Sequence, residues 1–334
     1  MNVLVTGATG FLGQKLAIRL KHMGYKVTGI GRNKIKGEML KNYGIEFVSL
    51  DLGNKEQTVA VCKEKDYIFH CAALSSPWGK YEAFYKSNVL STKNLIFGSK
   101  KTNIKRLIHV STPSIYFDYK DKMNISEDSV LPQNPVNYYA QTKLLAENEI
   151  NQAFKEGLSL VTIRPRALFG PGDTTILPRL IRANNKGSIP LINGGKAIID
   201  TTYVENVVDA LILCMNGSKD TLGKKYNITN DEPMALIDLL NKLFDKLDIH
   251  LKTKNISFHM AYRLAMVMEW ISKYILKGKE PILTRYSVGV LSKNQTLDIE
   301  NAKNDLGYIP KVGVDEGLDL FVEWLKGDGS WILS

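Results

Sequence analysis

VLVTGATGFLG, residues 3–13, begins with a short apolar run, passes through glycines at 7, 10 and 13, and ends in the first turn of a helical pattern. A glycine triplet alone says little. Between a strand and a helix at the start of the chain, each glycine has a task. Gly7 permits the tight turn, Gly10 lets the backbone approach a pyrophosphate, and Gly13 allows close helix–strand packing. The helix that follows presents unpaired N–H groups and the positive end of its dipole to phosphates. Thr9, Phe11 and Leu12 share this turn and are assigned to the same dinucleotide contact.

From there the pattern extends outward. Buried strands are predicted at residues 3–7, 26–31, 46–51, 67–73, 106–112 and 158–165, with helical spacing in GQKLAIRLKHMG and SNVLSTKNLIFGSKKT between them. Alternating strands and helices predict an α/β fold, a Rossmann-type doubly wound parallel sheet with helices on both faces. After Pro165 the rhythm breaks. ALFGPGD is a turn cluster, KKYNIT (224–229) one further strand, and the remainder mostly helical. The expected organisation is a dinucleotide-binding domain over residues 1–164, with 196–230 returning to it. A smaller, mostly helical C-terminal substrate lobe comprises 165–195 and 231–334.

Composition sets bounds. Of 334 residues, 44% are hydrophobic and 23% charged, as in ordinary globular enzymes. Cys62, Cys71 and Cys214 have no framework spacing, so neither disulfides nor a metal site are expected, and the compartment is read as the cytoplasm. No signal peptide or membrane span is seen. The net charge of +10 comes from lysines scattered along the chain, which disfavours nucleic acid as a partner. The apolar stretch 258–276 reads as a core helix of the lobe or a dimer contact. Peripheral membrane contact is the less favoured reading.

The second strand ends in GIGRN. An acidic residue there would bind the adenosine 2′-hydroxyl. Instead Gly31 leaves space and Arg32 supplies a cation, which favours NADP over NAD. Asp51, with Leu52 beside it, is placed at the adenine.

In NPVNYYAQTKLLAE (134–147), Tyr139 stands four residues before Lys143, whereas Tyr138 stands four before Thr142. On a helix, i and i+4 share a face, so Tyr139 and Lys143 can act together. A neighbouring ammonium favours the phenolate and fits Tyr139 to exchange a proton with a carbinol oxygen. HVSTPSIYF brings Ser111 and Thr112 to the carboxyl edge of the sheet, where either hydroxyl could hold the substrate oxygen.

Together, TGATGFLG, Asp51-Leu52, HCAA, STPSIY, YAQTK and RPRALFGPGD resemble the extended short-chain dehydrogenase/reductase family over nearly the whole chain. The resemblance implies Thr112, four before Tyr116, as the hydroxyl residue, with Tyr139 as acid/base and Lys143 as its partner. It puts Ala72, Ala73 and Pro165 along the cofactor, has Asn88 brace the sheet near the site, and implies a homodimer. Pro113 and Ser114 replace the Asp-Glu of the nucleotide-sugar dehydratases, so dehydration is disfavoured. Ile199 stands where sugar-nucleotide epimerases carry a diphosphate-binding arginine. SSPWGKYEAFYKSNV, GKAIIDTTYVENVVDALIL, PILTRYSVGVL and IENAKNDLGYIPKVGVDEGL resemble the 3β-hydroxysteroid dehydrogenase-like branch. STPSIYFD and GIGRN are similar to bacterial β-keto acid reductases.

The expectation is an NAD(P)-dependent oxidoreductase that interconverts a secondary alcohol and a ketone on a hydrophobic molecule. Trp78, Tyr116 and Phe169 are candidate substrate contacts. A nucleotide-sugar epimerase and a non-catalytic dinucleotide-binding regulator are the alternatives.

Overall fold

A computed structural model describes residues 1–327. Seven strands form its main sheet: β1 (Asn2–Thr6), β2 (Lys26–Gly31), β3 (Glu46–Ser49), β4 (Tyr67–His70), β5 (Arg106–Val110), β6 (Leu160–Pro165) and β7 (Lys225–Ile228). Their order is β7-β6-β5-β4-β1-β2-β3, and every pairing is parallel. Strand order reverses between β1 and β4, which opens a crevice at the carboxyl edge. β6 is buried along its full length, as a strand covered on both faces must be.

Helices α1 (Phe11–His22) and α4 (Val204–Asn216) cover one face, joined by Arg19, which pairs with Glu205 at 2.7 Å and Asp209 at 3.0 Å. Helices α2 (Ser91–Thr102) and α3 (Tyr138–Lys155) pack together on the other. Two apolar cores result. One contains Val3, Val5, Leu16 and Leu211, and the other Leu4, Ile68, Leu95 and Leu107. Alternate residues of β1 serve opposite cores, as a period of two requires.

A third core lies outside the sheet. Leu177 and Ile181 of helix Ile176–Asn185 meet Leu240, Leu243 and Phe244 of Leu236–Leu247 and Leu318 and Phe321 of Val314–Lys326. Short strands pair outside the main sheet: Lys122–Ile125 beside Gln295–Leu297 joins the lobe to the first half of the chain, and Ile189–Ile192 beside Thr253–Ile256 lies within the lobe. Strands of two to four residues leave too few alternations to be read from sequence.

The apolar stretch 258–276 corrects an expectation. It does form a helix, α5 (Phe258–Tyr274), but not a core one. Its buried residues are Ala261, Ala265, Glu269 and Ser272, while Leu264, Val267, Trp270 and Tyr274 face outward.

Candidate active site

The glycine loop closes as its sequence demands. Gly7 has φ +69°, and a Cβ there would lie 2.8 Å from the Ala72 nitrogen. A Cβ on Gly13 would lie 2.3 Å from the Gly7 carbonyl oxygen, so α1 can approach β1 this closely only through glycine. α1 has no side-chain cap and no acid in its first turn. Its N–H groups are therefore left to whatever occupies the crevice.

A cleft of about 230 Å³ opens there, lined by Gly7, Thr9, Gly10, Arg32, Asp51, Leu52, Ala72 and Ala73 from the predicted set. Ile30, Gly31, Leu50, Cys71, Ser87 and Ser91 complete the lining. Ser87 and Ser91 were not legible in advance, because Ser87 arrives on the π-helical turn Tyr85–Leu90 and Ser91 opens α2 directly after it. Phe11 and Leu12 lie outside this lining. Leu12 packs on the first core, and Phe11 lies beside Gly172. Pro165 ends β6.

Two details of the cleft differ from expectation. The space beside Gly31 is filled: a Cβ there would lie 2.5 Å from Thr9 Oγ1. Gly31 is therefore explained by packing of the glycine loop, which leaves Arg32 alone behind the expectation of a 2′-phosphate. Asp51 lies past the end of β3, accepts a bond from the Gly53 nitrogen at 2.9 Å and pairs with Lys86 at 2.8 Å. Lys86 holds its carboxyl below the ordinary aspartate range.

The two adjacent tyrosines separate at the start of α3, which Asn137 caps by accepting from the Ala140 nitrogen at 2.8 Å. Tyr138 is half exposed and packs edge-on against Tyr81. Tyr139 and Lys143 lie one turn apart on the same helix face. Lys143 is 2% exposed and donates to the Val110 carbonyl at 2.7 Å. Burial brings its pKa down to about 8. The neighbouring imidazoles add no charge, since burial lowers His70 to about 3 and His109 well below its ordinary value.

Asn88 ties the π-helical turn to α3. Its Nδ2 donates to Thr142 Oγ1 at 3.0 Å, and its Oδ1 accepts from the Leu74 nitrogen at 2.8 Å. It braces the loop after β4 and the helix bearing Tyr139 rather than the sheet itself.

Thr112 follows β5 and is buried. Its Oγ1 accepts from the Ser114 nitrogen at 3.2 Å, capping the turn Pro113–Tyr116, and donates to Ser114 Oγ at 3.1 Å. Ser114 Oγ shares a bond of 2.8 Å with the hydroxyl of Tyr286. Tyr286 was missed from sequence, as it lies 172 residues away on helix Arg285–Ser292 of the lobe. It feels the charge states of both Tyr139 and Arg166, and burial raises its pKa. Arg166, two residues beyond Arg164 at the end of β6, is buried. It donates to Gln295 Oε1, and its Nε has no protein partner.

Of the expected substrate contacts, Trp78 is part-buried, its indole N–H donating to the Gly278 carbonyl at 3.2 Å. Tyr116 and Phe169 are corrections, both 1% exposed. The Tyr116 hydroxyl donates to Asn227 at 3.0 Å and receives Arg164, which is itself clamped to Glu147 of α3 at 2.6 and 2.9 Å. Phe169 belongs to the lobe core, against Tyr203. Both are packing residues. A recess of about 330 Å³ on the strand Lys122–Ile125 contains none of Thr112, Tyr139 or Lys143. Among the described residues no His/Cys/Asp/Glu cluster suits a metal, and all three cysteines are free.

Comparison with known proteins agrees with this geometry. Residues 3–229 match the model of the NAD dependent epimerase/dehydratase family. The chain is 37% identical to the uncharacterized protein YbjS of Escherichia coli, covering 98% of this chain and 99% of that one. It is 33% identical to a 2-alkyl-3-oxoalkanoate reductase of Shewanella oneidensis, covering 95% and 84%. It is 31% identical to the mouse sterol-4-alpha-carboxylate 3-dehydrogenase, decarboxylating, covering 96% and 89%. In fold it superposes on UDP-glucuronic acid 4-epimerase from Bacillus cereus with a TM-score of 0.79 at 22% identity, covering 98% and 99%. The chain belongs to the NAD dependent epimerase/dehydratase family, as an extended short-chain dehydrogenase/reductase enzyme of the 3β-hydroxysteroid dehydrogenase-like branch.

Proposed function

We propose that this enzyme interconverts a secondary alcohol and a ketone on a hydrophobic molecule, either steroid-like or a long-chain β-hydroxy/β-keto compound. The observation that carries the reading is the buried Lys143, one turn from the half-buried Tyr139, at the edge that also bears Thr112. Residues 1–164 and 196–230 hold the dinucleotide, and 165–195 and 231–334 the substrate, of which 328–334 lie outside the described residues.

The cleft from Gly7 to Ala73 would hold NADP, favoured by Arg32, or NAD. The nicotinamide, when bound, supplies or accepts the hydride. The chain's own residues handle the oxygen. Thr112 turns its hydroxyl from Ser114 to the substrate oxygen, and Tyr139 passes that oxygen its proton in reduction or removes it in oxidation. The Lys143 ammonium stabilises the phenolate left on Tyr139. Arg166, with its unpartnered Nε, supports substrates carrying a carboxylate beside the carbonyl. The names of the reductase and dehydrogenase relatives share that chemistry. Self-association through α2 and α3 belongs to this reading, supported by the exposed Phe97 and Phe154 on those helices.

The test is NADPH absorbance loss with a panel of steroid ketones, long-chain β-keto acids and their esters, with Tyr139→Phe in parallel and UDP-sugars as competitors. The expected result is turnover of an apolar ketone that disappears in the variant. Epimer formation from a sugar nucleotide, with no ketone reduced, would overturn the reading. An unchanged rate in Tyr139→Phe would remove Tyr139 from its role.

A further inference from the structure

Helix α5 is arranged opposite to a normal surface helix, which turns its large apolar side chains inward. Here the buried positions, Ala261, Ala265, Glu269 and Ser272, are mostly small, and they recur every three or four residues. The large apolar residues lie outside. Trp270 is 57% exposed, Tyr274 63% and Met260 58%, with Leu264 and Val267 about half exposed. Beyond the helix, Ile282 is 94% exposed. So much contiguous exposed hydrocarbon marks a docking surface.

The charges around it select the occupant. Arg263, Lys273, Lys277 and Lys279 are exposed on the same segment. The segment's two acids are both engaged: Glu269 is buried against Arg285 at 2.6 Å, and Glu280 pairs with Arg179 at 3.3 Å. A hydrophobic face with aromatic residues and a cationic fringe suits the interface of an anionic bilayer. A second copy docked face to face would instead bring these cations against their own equivalents. No described helix is long and apolar enough to cross a membrane, so the segment would lie along the surface.

The same segment adjoins the active site. Tyr262 of α5 meets Tyr119 edge-on at 5.9 Å, Tyr119 meets Phe117 at 5.2 Å, and Phe117 meets Tyr286 at 5.9 Å. Tyr286 is bonded to Ser114, and Ser114 to Thr112. On the other side, the Trp78 indole bonds Gly278 just past the helix. We infer that residues 258–282 are an interfacial anchor that seats the substrate-side mouth of the enzyme on an anionic lipid surface. This rests on exposure, charge and position, and holds whichever ketone is the substrate.

The experiment is flotation of the full-length protein with vesicles of phosphatidylcholine alone or mixed with phosphatidylglycerol, at low and high salt. Binding to the mixed vesicles, weakened by salt and by removing the anionic lipid, is expected. Lys273→Gln/Lys277→Gln/Lys279→Gln should weaken binding by roughly 100-fold, at about one surface cation's worth each. Leu264→Glu/Trp270→Glu should abolish it. Dinucleotide binding, measured on each variant, checks that the fold is intact. Failure to float with either vesicle overturns the inference, as does equal binding to both. A dimer that Leu264→Glu/Trp270→Glu converts to monomers, without vesicle binding in the parent protein, would also overturn it and identify the face as a self-interface.

Discussion

The sheet region buries its charges, whereas the lobe exposes its hydrocarbon. Around β5, β6 and α3, Lys143, Glu147, Arg164 and Arg166 are all less than a tenth exposed. In the lobe, ion pairs such as Lys246 with Asp315 and Asp319 lie at the surface, and α5 turns Trp270 and Tyr274 outward. Buried charge is costly unless it is paired or has work to do. Glu147 and Arg164 are paired, and together they fix α3 against the end of β6. Lys143 hydrogen-bonds one carbonyl and, among the described residues, forms no ion pair, which is the situation of a functional group. Exposed hydrocarbon in the lobe suggests by the same reasoning that something is meant to cover it.

The largest expected effect breaks the contrast at Lys143. Lys143→Met should lower kcat by about 10²- to 10⁴-fold, the usual worth of assisted proton transfer. It should also raise Tm by a few degrees, because an apolar side chain replaces a poorly compensated buried cation. Steady-state kinetics and calorimetry on the same variant check both signs. An accompanying fall in Tm would mean that Lys143 holds the fold. In the parent enzyme, ketone reduction should fall as pH rises through about 8, where Lys143 loses its proton. Its pKa is lowered on folding, so protons are released between about 8 and the ordinary lysine value. The contribution of this group to stability therefore rises with pH through that window.

Next in size is Glu147→Gln, which leaves Arg164 buried without its carboxylate. Denaturant unfolding should show a loss of about 3–5 kcal/mol. A change below 1 kcal/mol would show that Tyr116 and solvent compensate Arg164.

A smaller effect is expected at the rim of the cleft. Arg32→Glu should shift the ratio of kcat/KM for NADPH over NADH towards NADH by about 10- to 100-fold, the worth of one charge-assisted phosphate contact turned repulsive. An unmoved ratio would assign the choice to another residue, since packing against Thr9 already accounts for Gly31. The smallest is Lys246→Ala in the lobe. Although it removes contacts to two aspartates, these are exposed, and the expected change is below about 1 kcal/mol. A loss as large as that of Glu147→Gln would erase the distinction between the two regions.

Sequence alone determined the sheet, the glycine loop and the placing of Tyr139, not Tyr138, one helical turn from Lys143. Each is written in a local repeat: apolar runs for buried strands, glycines where a Cβ collides, and an i, i+4 pair on a helix. The observed strands and α3 fall where those repeats put them. Only the tertiary structure decided the rest. The bond from Tyr286 to Ser114 spans 172 residues and has no periodic signature. Tyr116 and Phe169 have the composition of pocket walls, yet Arg164 and the lobe core claim them. α5 has the apolar content of a core helix. Which of its faces turns inward was settled by the fit of Ala261, Ala265 and Ser272 against the lobe, because close packing admits small side chains where large ones would collide.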